Sequence, residues 1–369
     1  MFVEERFSVR VLHVISEMGS GGAEALVAGM VTAGGEFGWE SAVASGGGYR
    51  AEALRGRGVS TFPVPVPRRR AGGLLRAATA TKAALRGFAP DVVLAHNVSA
   101  SVVTRLAMLP GRKPPLLTVF HGVADTDYGA TTRILRHTSA AVVTVATATA
   151  DRLRVAGLRT PDPVVIPNAV FPHTPTRNGA AVRACLGIAP RIPVALCVAR
   201  LEPQKRHDVL LRAWAALDGD AVLLLAGDGS LRGELERLRD ELGLGDGVRF
   251  LGDRDDVPDL LTAADLTVLT SDWEGMPIAV LESLAAGRAV VATDVDGVRE
   301  VLEPGGGLLV PRRDPAAIAD ALRALLFDPD ERAAVAAAGR EAAHRGHDPR
   351  ALMASYDRLL RGALAGVRR

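Results

Sequence analysis

The chain has almost no cysteine, few aromatics, no long apolar run and almost no net charge, and each shortage removes a class of function. Its 369 residues include only two cysteines, Cys185 and Cys197. Two thiols cannot build a disulfide framework, and no Cys/His spacing suggests zinc. A reducing cytoplasm is the simplest compartment for such usage. Aromatics are 4% of the residues, so aliphatic side chains must fill the core. No uninterrupted apolar stretch approaches the roughly 20 residues of a membrane span. The opening MFVEERFSVR lacks the apolar segment of a signal peptide. A cytoplasmic protein is expected.

The formal charge of +2 conceals an asymmetry. Residues 1–170 carry 19 Lys and Arg against 12 Asp and Glu, a balance of +7; the remainder carry 25 against 30, a balance of −5. A basic N-terminal half suits acidic lipid, an anionic acceptor or simply water. Its densest part runs through Arg68, Arg69 and Arg70 to Arg76, Lys82 and Arg86, among Leu74, Leu75, Leu85 and Phe88. Such a segment suits peripheral contact with an anionic membrane at its inner face. Gly72-Gly73 weakens a helix there, and a solvated face accounts for the same residues.

What is present is a repeated alternation of short apolar runs and helical patterns. Strands are expected at Val9–Ile15, Ser41–Ser45, Val92–Ala95, Leu116–Phe120, Ala141–Val145 and Val164–Ile166. A second set follows at Val194–Val198, Val222–Ala226, Val248–Leu251, Leu266–Leu269 and Ala289–Ala292. Most are apolar at successive positions, as parallel strands covered by helices on both faces should be. The alternation predicts an α/β protein with doubly wound parallel sheets. The Pro-rich stretch Pro167–Gly179 separates the two sets and disfavours any regular element. Two Rossmann-like domains are therefore expected, at 1–175 and 176–350, with an amphipathic terminal helix at 351–369.

The stretch Thr270–Glu303 carries the most chemistry. An apolar strand ends in a polar corner holding Glu274; Gly275-Met276-Pro277 then opens a helix, and Glu282 lies eight positions beyond Glu274. Proline suits a first helical turn. The outward amides of that turn, beside the positive end of the helix dipole, suit a phosphate. Carboxylates before and along the helix then suit hydroxyls of the same ligand, a description that fits a nucleotide sugar. An ordinary strand–loop–helix with two surface glutamates reads the same way on spacing alone.

Arg200 and Lys205 stand between the strand at Val194–Val198 and the next helix. Fixed cations there would stabilise charge on a departing diphosphate more in the transition state than in the substrate. By default they are solvated charges. Gly19-Ser20-Gly21-Gly22-Ala23-Glu24 follows the first strand but is not a GxGxxG string, so a tight turn is its simplest role. His121 ends a strand, as do His96 and Asn97. Aspartate pairs at Asp125–Asp127, Asp218–Asp220 and Asp294–Asp296 read as turn residues, because the cationic pair supplies the charge a metal would bring. No metal and no cofactor is expected. Because ligands of open α/β sheets lie beyond the strands' carboxyl ends, these residues are expected to converge on a central cleft.

Taken with VARLEPQKRHDVLLRAW, VVIPNAV, LLLAGDGSLRGELE, VRFLGDRDDVPDLLTAADLTVLTS, GLLVPRRDPAAIADAL and VLHVISEMGSGGAE, the Thr270–Glu303 stretch resembles the retaining family 4 glycosyltransferases of GT-B fold. The likeness runs over nearly the whole chain; Ala199, where that family usually has glycine, is a mild departure. The resemblance implies a retaining hexosyltransferase acting on a nucleoside diphosphate sugar and a hydroxyl acceptor. It implies diphosphate binding by Arg200 and Lys205, and sugar and phosphate binding by Glu274, Gly275, Met276 and Pro277. Ribose falls to Glu282, base contact to the backbone of Phe250 and Leu251, and a backbone turn to Gly227 and Asp228. Gly21 and Gly22 would approach the donor phosphates, His121 the transferred sugar, and His96 and Asn97 the acceptor. Retention without a nucleophilic carboxylate implies front-face attack, and the last helix is expected to pack on the N-terminal domain. A nucleotide-sugar epimerase, a dinucleotide oxidoreductase and a non-catalytic binding protein are the rivals.

Overall fold

The computed structural model describes residues 8–66, 73–109 and 114–367. The chain divides into two units, Met1–Asn168 with Pro349–Arg369, and Ala169–Asp348. Arg68, Arg69 and Arg70 lie outside the described residues.

The first unit is built on a seven-stranded sheet: β1 (Val9–Val14), β2 (Trp39–Ser45), β3 (Ser60–Pro63), β4 (Val92–Ala95), β5 (Leu116–Phe120), β6 (Ala141–Thr144) and β7 (Val164–Val165). The spatial order is β3-β2-β1-β4-β5-β6-β7, with each described pairing parallel. Successive residues feed opposite layers. Ala42 and Ala44 of β2 pack in the layer of Ala77, Ala84 and Phe88, while Val43 packs with Val27, Val31 and Leu54. The terminal helix Pro349–Val367 belongs to this unit and buries Met353, Tyr356 and Leu360. Trp39 Nε1 donates to Asp357 Oδ1 at 2.9 Å, and Arg361 donates to the Phe37 carbonyl at 3.1 Å.

The second unit carries six parallel strands: β8 (Val194–Val198), β9 (Val222–Ala226), β10 (Val248–Gly252), β11 (Leu266–Leu269), β12 (Ala289–Thr293) and β13 (Gly307–Val310). Their order is β10-β9-β8-β11-β12-β13. Leu223 and Leu225 of β9 pack with Leu210, Ile318 and Leu322 on one face; Val222 and Leu224 pack with Val182, Leu260 and Leu261 on the other. This two-sided burial is why the strand sequences are apolar throughout. In each sheet the order reverses once, between β1 and β4 and between β8 and β11, and ligands of such sheets bind outside the carboxyl ends at that reversal.

β3 and β13 are strands that no apolar run announced. Both lie towards sheet edges, are four residues long and only partly buried. Glycine 307 tolerates no side chain: a Cβ would stand 2.6 Å from the Val290 carbonyl, across the pairing with β12.

Candidate active site

In the second unit, the loops after β8 and β11 flank the reversal of strand order. The first loop leaves β8 at Ala199, turns through the 3₁₀ segment Pro203–Lys205, and enters the helix His207–Ala215 by way of Arg206 at φ 52°. The second runs from Thr270 to Pro277 and enters the helix Ile278–Ala285. Backbone and side-chain bonds fasten them together. Asp272 N donates to the Gln204 carbonyl at 2.8 Å, and Gln204 Nε2 donates to the Trp273 carbonyl at 2.7 Å. Thr270 Oγ1 donates to the carbonyls of Lys205 and Arg206, at 3.0 and 3.2 Å.

That fastening brings two expected site residues into contact. Lys205 Nζ lies 2.5 Å from Glu274 Oε1, and the two side chains are 14% and 8% exposed. Ser271 Oγ donates to the same oxygen at 2.5 Å. Beside them, Asp272 receives a two-pronged contact from Arg313, 2.8 Å for each nitrogen, and lies 3.5 Å from Arg206. Burial raises the Asp272 carboxyl, but the hydrogen bonds and charge of Arg313 and Arg206 outweigh it and hold the group below the usual carboxylate range. Lys205 thus serves Glu274, and Asp272 ties the loop ends.

Behind this pair the interior is apolar. Cys197 Sγ lies 3.7 Å from His207 Nε2, both buried. Burial pushes the Cys197 thiol up to about 12, with Lys205 opposing. Burial, then the charge of Lys205, pushes His207 down to about 4. Neither group carries charge near neutrality, so the ion pair has no competing charge beneath it.

Arg200 is exposed in the first loop and makes no ion pair among the described residues. Next to it, the turn after β9 closes tightly: at Gly227, with φ 142°, a Cβ would stand 2.1 Å from the Ala199 carbonyl. Only glycine fits. Asp228 Oδ1 accepts from Gly229 N at 2.7 Å, so this carboxylate closes its own turn. Phe250 and Leu251 lie on β10, the sheet's edge strand, and the guanidinium groups of Arg232 and Arg239 each sit 5.8 Å from the Phe250 ring centre.

Gly275, Met276 and Pro277 are buried. Pro277 is the N-cap, with φ −73° and ψ 120°, rather than a residue of the first turn as the sequence suggested; its extended ψ makes the sharp entry. The N-cap proline has no side-chain acceptor for this helix, which suits its first amides to a ligand or water. Glu282 sits in the second turn, partly exposed. Gly297, which sequence reasoning passed over, sets the position of this loop: a Cβ there would stand 1.4 Å from the Gly275 carbonyl. The helix Asp296–Leu302 is thus pressed directly on the turn.

The other expected residues belong to the first unit. His121 follows β5; its Nε2 is buried without a hydrogen-bond partner among the described residues, and burial pushes it down to about 4. His96 is 1% exposed and does not line an open surface, contrary to expectation. Its Nε2 is 3.0 Å from His13 Nδ1, and the rings stack at 5.3 Å. Asn97 is likewise engaged internally: Oδ1 accepts from Ala100 N at 2.7 Å, capping the helix Val98–Ala107, and Nδ2 donates to Ser16 Oγ at 3.0 Å. His13 escaped notice; a histidine in the apolar run VLHVIS was its signal. At Gly21, the N-cap of the helix Gly22–Ala33, Glu24 Oε2 lies 2.0 Å from where a Cβ would be. A carboxylate of the chain itself therefore stands beside the Gly21 backbone.

Two family profiles match the chain. One, described as glycosyl transferases group 1, matches residues 181–342; the other, glycosyltransferase family 4, matches residues 20–174. The chain belongs to the family 4 glycosyltransferases. A GDP-mannose-dependent monoacylated alpha-(1-6)-phosphatidylinositol monomannoside mannosyltransferase of Corynebacterium glutamicum is 36% identical over 46% of this chain and 47% of its own length. A D-inositol 3-phosphate glycosyltransferase of Mycolicibacterium smegmatis is 32% identical over 74% of this chain and 63% of its own. The matched stretch spans about half the length of the first such relatives. Among solved structures, Anabaena Alr3699/HepE in complex with UDP and glucose superposes with a TM-score of 0.82 at 21% identity, covering 97% of this chain and 99% of that one. WaaG, a glycosyltransferase of lipopolysaccharide biosynthesis, gives 0.76 at 17% identity, covering 95% and 99%. These likenesses show the GT-B fold.

Proposed function

We propose that the protein is a retaining glycosyltransferase that moves a hexose-type sugar from a nucleoside diphosphate to an acceptor hydroxyl. The observation that carries this reading is the Lys205–Glu274 contact, set where the strand order reverses and beside a helix entrance without a side-chain cap. An ammonium, a guanidinium at Arg200 that makes no ion pair among the described residues, and outward amides suit the two phosphoryl groups. Glu274 suits a sugar hydroxyl and Glu282 the ribose. As the sugar–phosphate bond breaks, charge accumulates on the leaving diphosphate, and these fixed cations stabilise it most at that point. They stand in for a metal, so turnover is expected to survive chelators.

The acceptor is assigned to the first unit, where the uncharged imidazole of His121, with a buried nitrogen lacking a partner among the described residues, suits a neutral hydroxyl. The relatives' names point to inositol-containing or lipid-linked acceptors. No described helix is long and apolar enough to cross a membrane. The helix Leu74–Phe88 exposes Leu75 at 83% beside Arg76, with Lys82 and Arg86 further along, and this supports peripheral contact with anionic lipid. Charge removal at Arg76 and Arg86 would then abolish salt-sensitive vesicle association, and unchanged partitioning would reject the contact.

A panel of nucleotide sugars screened for thermal stabilisation tests the donor reading, because binding raises apparent stability with ligand concentration. Stabilisation by a nucleotide sugar, with transfer to an added hydroxyl acceptor, supports it. Isomerised donor without transfer would favour an epimerase instead; a panel with no binder would end the reading.

A further inference from the structure

We propose that Ser271 is the positioning residue for Glu274, holding its carboxylate so that one oxygen alone meets the donor sugar. The inference rests on the donor-site reading above and deepens it. Glu274 Oε1 takes both protein donors, Lys205 Nζ and Ser271 Oγ, each at 2.5 Å. Oε2 accepts no hydrogen bond among the described residues, yet it is not among the buried atoms left without partners. The carboxylate is therefore anchored by one oxygen and presents the other outward. A carboxylate has about four acceptor sites, so Oε2 has capacity for a sugar hydroxyl.

The two anchors are not equivalent. Lys205 is a cation for which a diphosphate competes, and contact with phosphate weakens its grip on Glu274. Ser271 is neutral, 0% exposed and three residues away in the same loop, so no ligand draws it off. It is fixed from below: Thr293 Oγ1, itself 0% exposed at the end of β12, donates to the Ser271 carbonyl at 2.6 Å. Rotation of Ser271 is limited by its burial and its neighbours' hydrogen bonds. When the donor binds, Ser271 keeps Oε2 in place while Lys205 serves the phosphates. The serine acts through Glu274 and touches neither phosphate nor sugar.

A purely structural role and this positioning role separate in binding. Titration calorimetry on the full chain would compare UDP with UDP-glucose, and GDP with GDP-mannose, for the wild type, Ser271→Ala and Ser271→Cys. Cysteine keeps the volume and withdraws the strong donor. In both variants affinity for the sugar-free diphosphate is expected to stay within about twofold of wild type. The extra affinity contributed by the sugar is expected to fall roughly tenfold, the scale of one hydrogen bond to a charged group. Thr293→Val, which keeps side-chain shape, is expected to move the same quantity in the same direction by less, and it serves if Ser271→Ala does not fold. An unchanged sugar increment in Ser271→Cys and Thr293→Val would overturn the proposal, as would equal losses for diphosphate and nucleotide sugar. A wild type for which neither nucleotide sugar outbinds its diphosphate would instead overturn the donor reading, and this inference with it.

Discussion

Removing the Lys205 ammonium leaves Glu274 as a nearly buried carboxylate with one hydroxyl donor, and that loss is measurable as stability before any substrate is known. At 2.5 Å and an effective dielectric of about 20, the attraction is roughly 6 to 7 kcal/mol gross. Desolvation of both groups offsets much of it, and removing one partner of such a pair typically costs about 3–5 kcal/mol. Lys205→Ala should therefore destabilise the second unit by about 3 kcal/mol at pH 7, and Glu274→Ala by a similar amount. The double variant should cost far less than the sum, because no charge is left stranded.

The tryptophans make the assay selective. Trp39 lies in the first unit, whereas Trp214 and Trp273 lie in the second. In a Trp39→Phe background, urea unfolding followed by fluorescence reports the second unit alone. Single variants within about 1 kcal/mol of the parent, or a double variant with the summed cost, would refute the account of this pair as buried, tightly coupled charges.

Catalysis gives a parallel expectation. Lys205→Ala or Glu274→Ala should lower turnover at least ~100-fold, the scale for losing one transition-state stabiliser; donor hydrolysis and transfer at the parent rate would reject those roles. Stability should also fall with acid in a defined window. His13 is pushed down to about 3 and His121 and His207 to about 4, each by burial. The unfolded chain binds these protons at pH ~6.5 and the native chain does not, so stability is full above that pH and falls as pH drops towards 4. At pH 5 the loss is about 2 kcal/mol per histidine, read as a lower urea midpoint than at pH 7; a flat midpoint would contradict their burial as neutral rings. Gly297→Ala places a methyl 1.4 Å from the Gly275 carbonyl, so the Gly275–Pro277 turn must move. It should weaken nucleotide-sugar binding more than Lys82→Ala, a control in the first unit, and equal binding by both would refute the interlock.

The sheets were legible because burial on both faces leaves its mark in consecutive residues: β9 reads VLLLA since Leu223 and Leu225 face one layer and Val222 and Leu224 the other. β3 and β13 left no such mark. Each is four residues at a sheet edge, held by backbone pairing rather than by a buried apolar run, and β3 even ends in Pro63. The candidate site divides along the same physical line. Lys205 and Glu274 were legible as residue types following strands, because topology brings strand ends together whatever the loops contain. Their partners were not. Ser271, Thr293, Asp272 and Arg313 act through contacts set by loop geometry, and a serine three residues before a glutamate has no signature of its own. Some residues that sequence assigns to a ligand already have partners within the chain. His96 and Asn97 read as strand-end contacts until His13 and Ser16 are found to engage them. The N-caps Gly21 and Pro277 alike make no side-chain bond to their helices. A phosphate site is therefore better sought where a fixed cation stands beside such an entrance, as Lys205 does beside Glu274, than where glycines are most abundant.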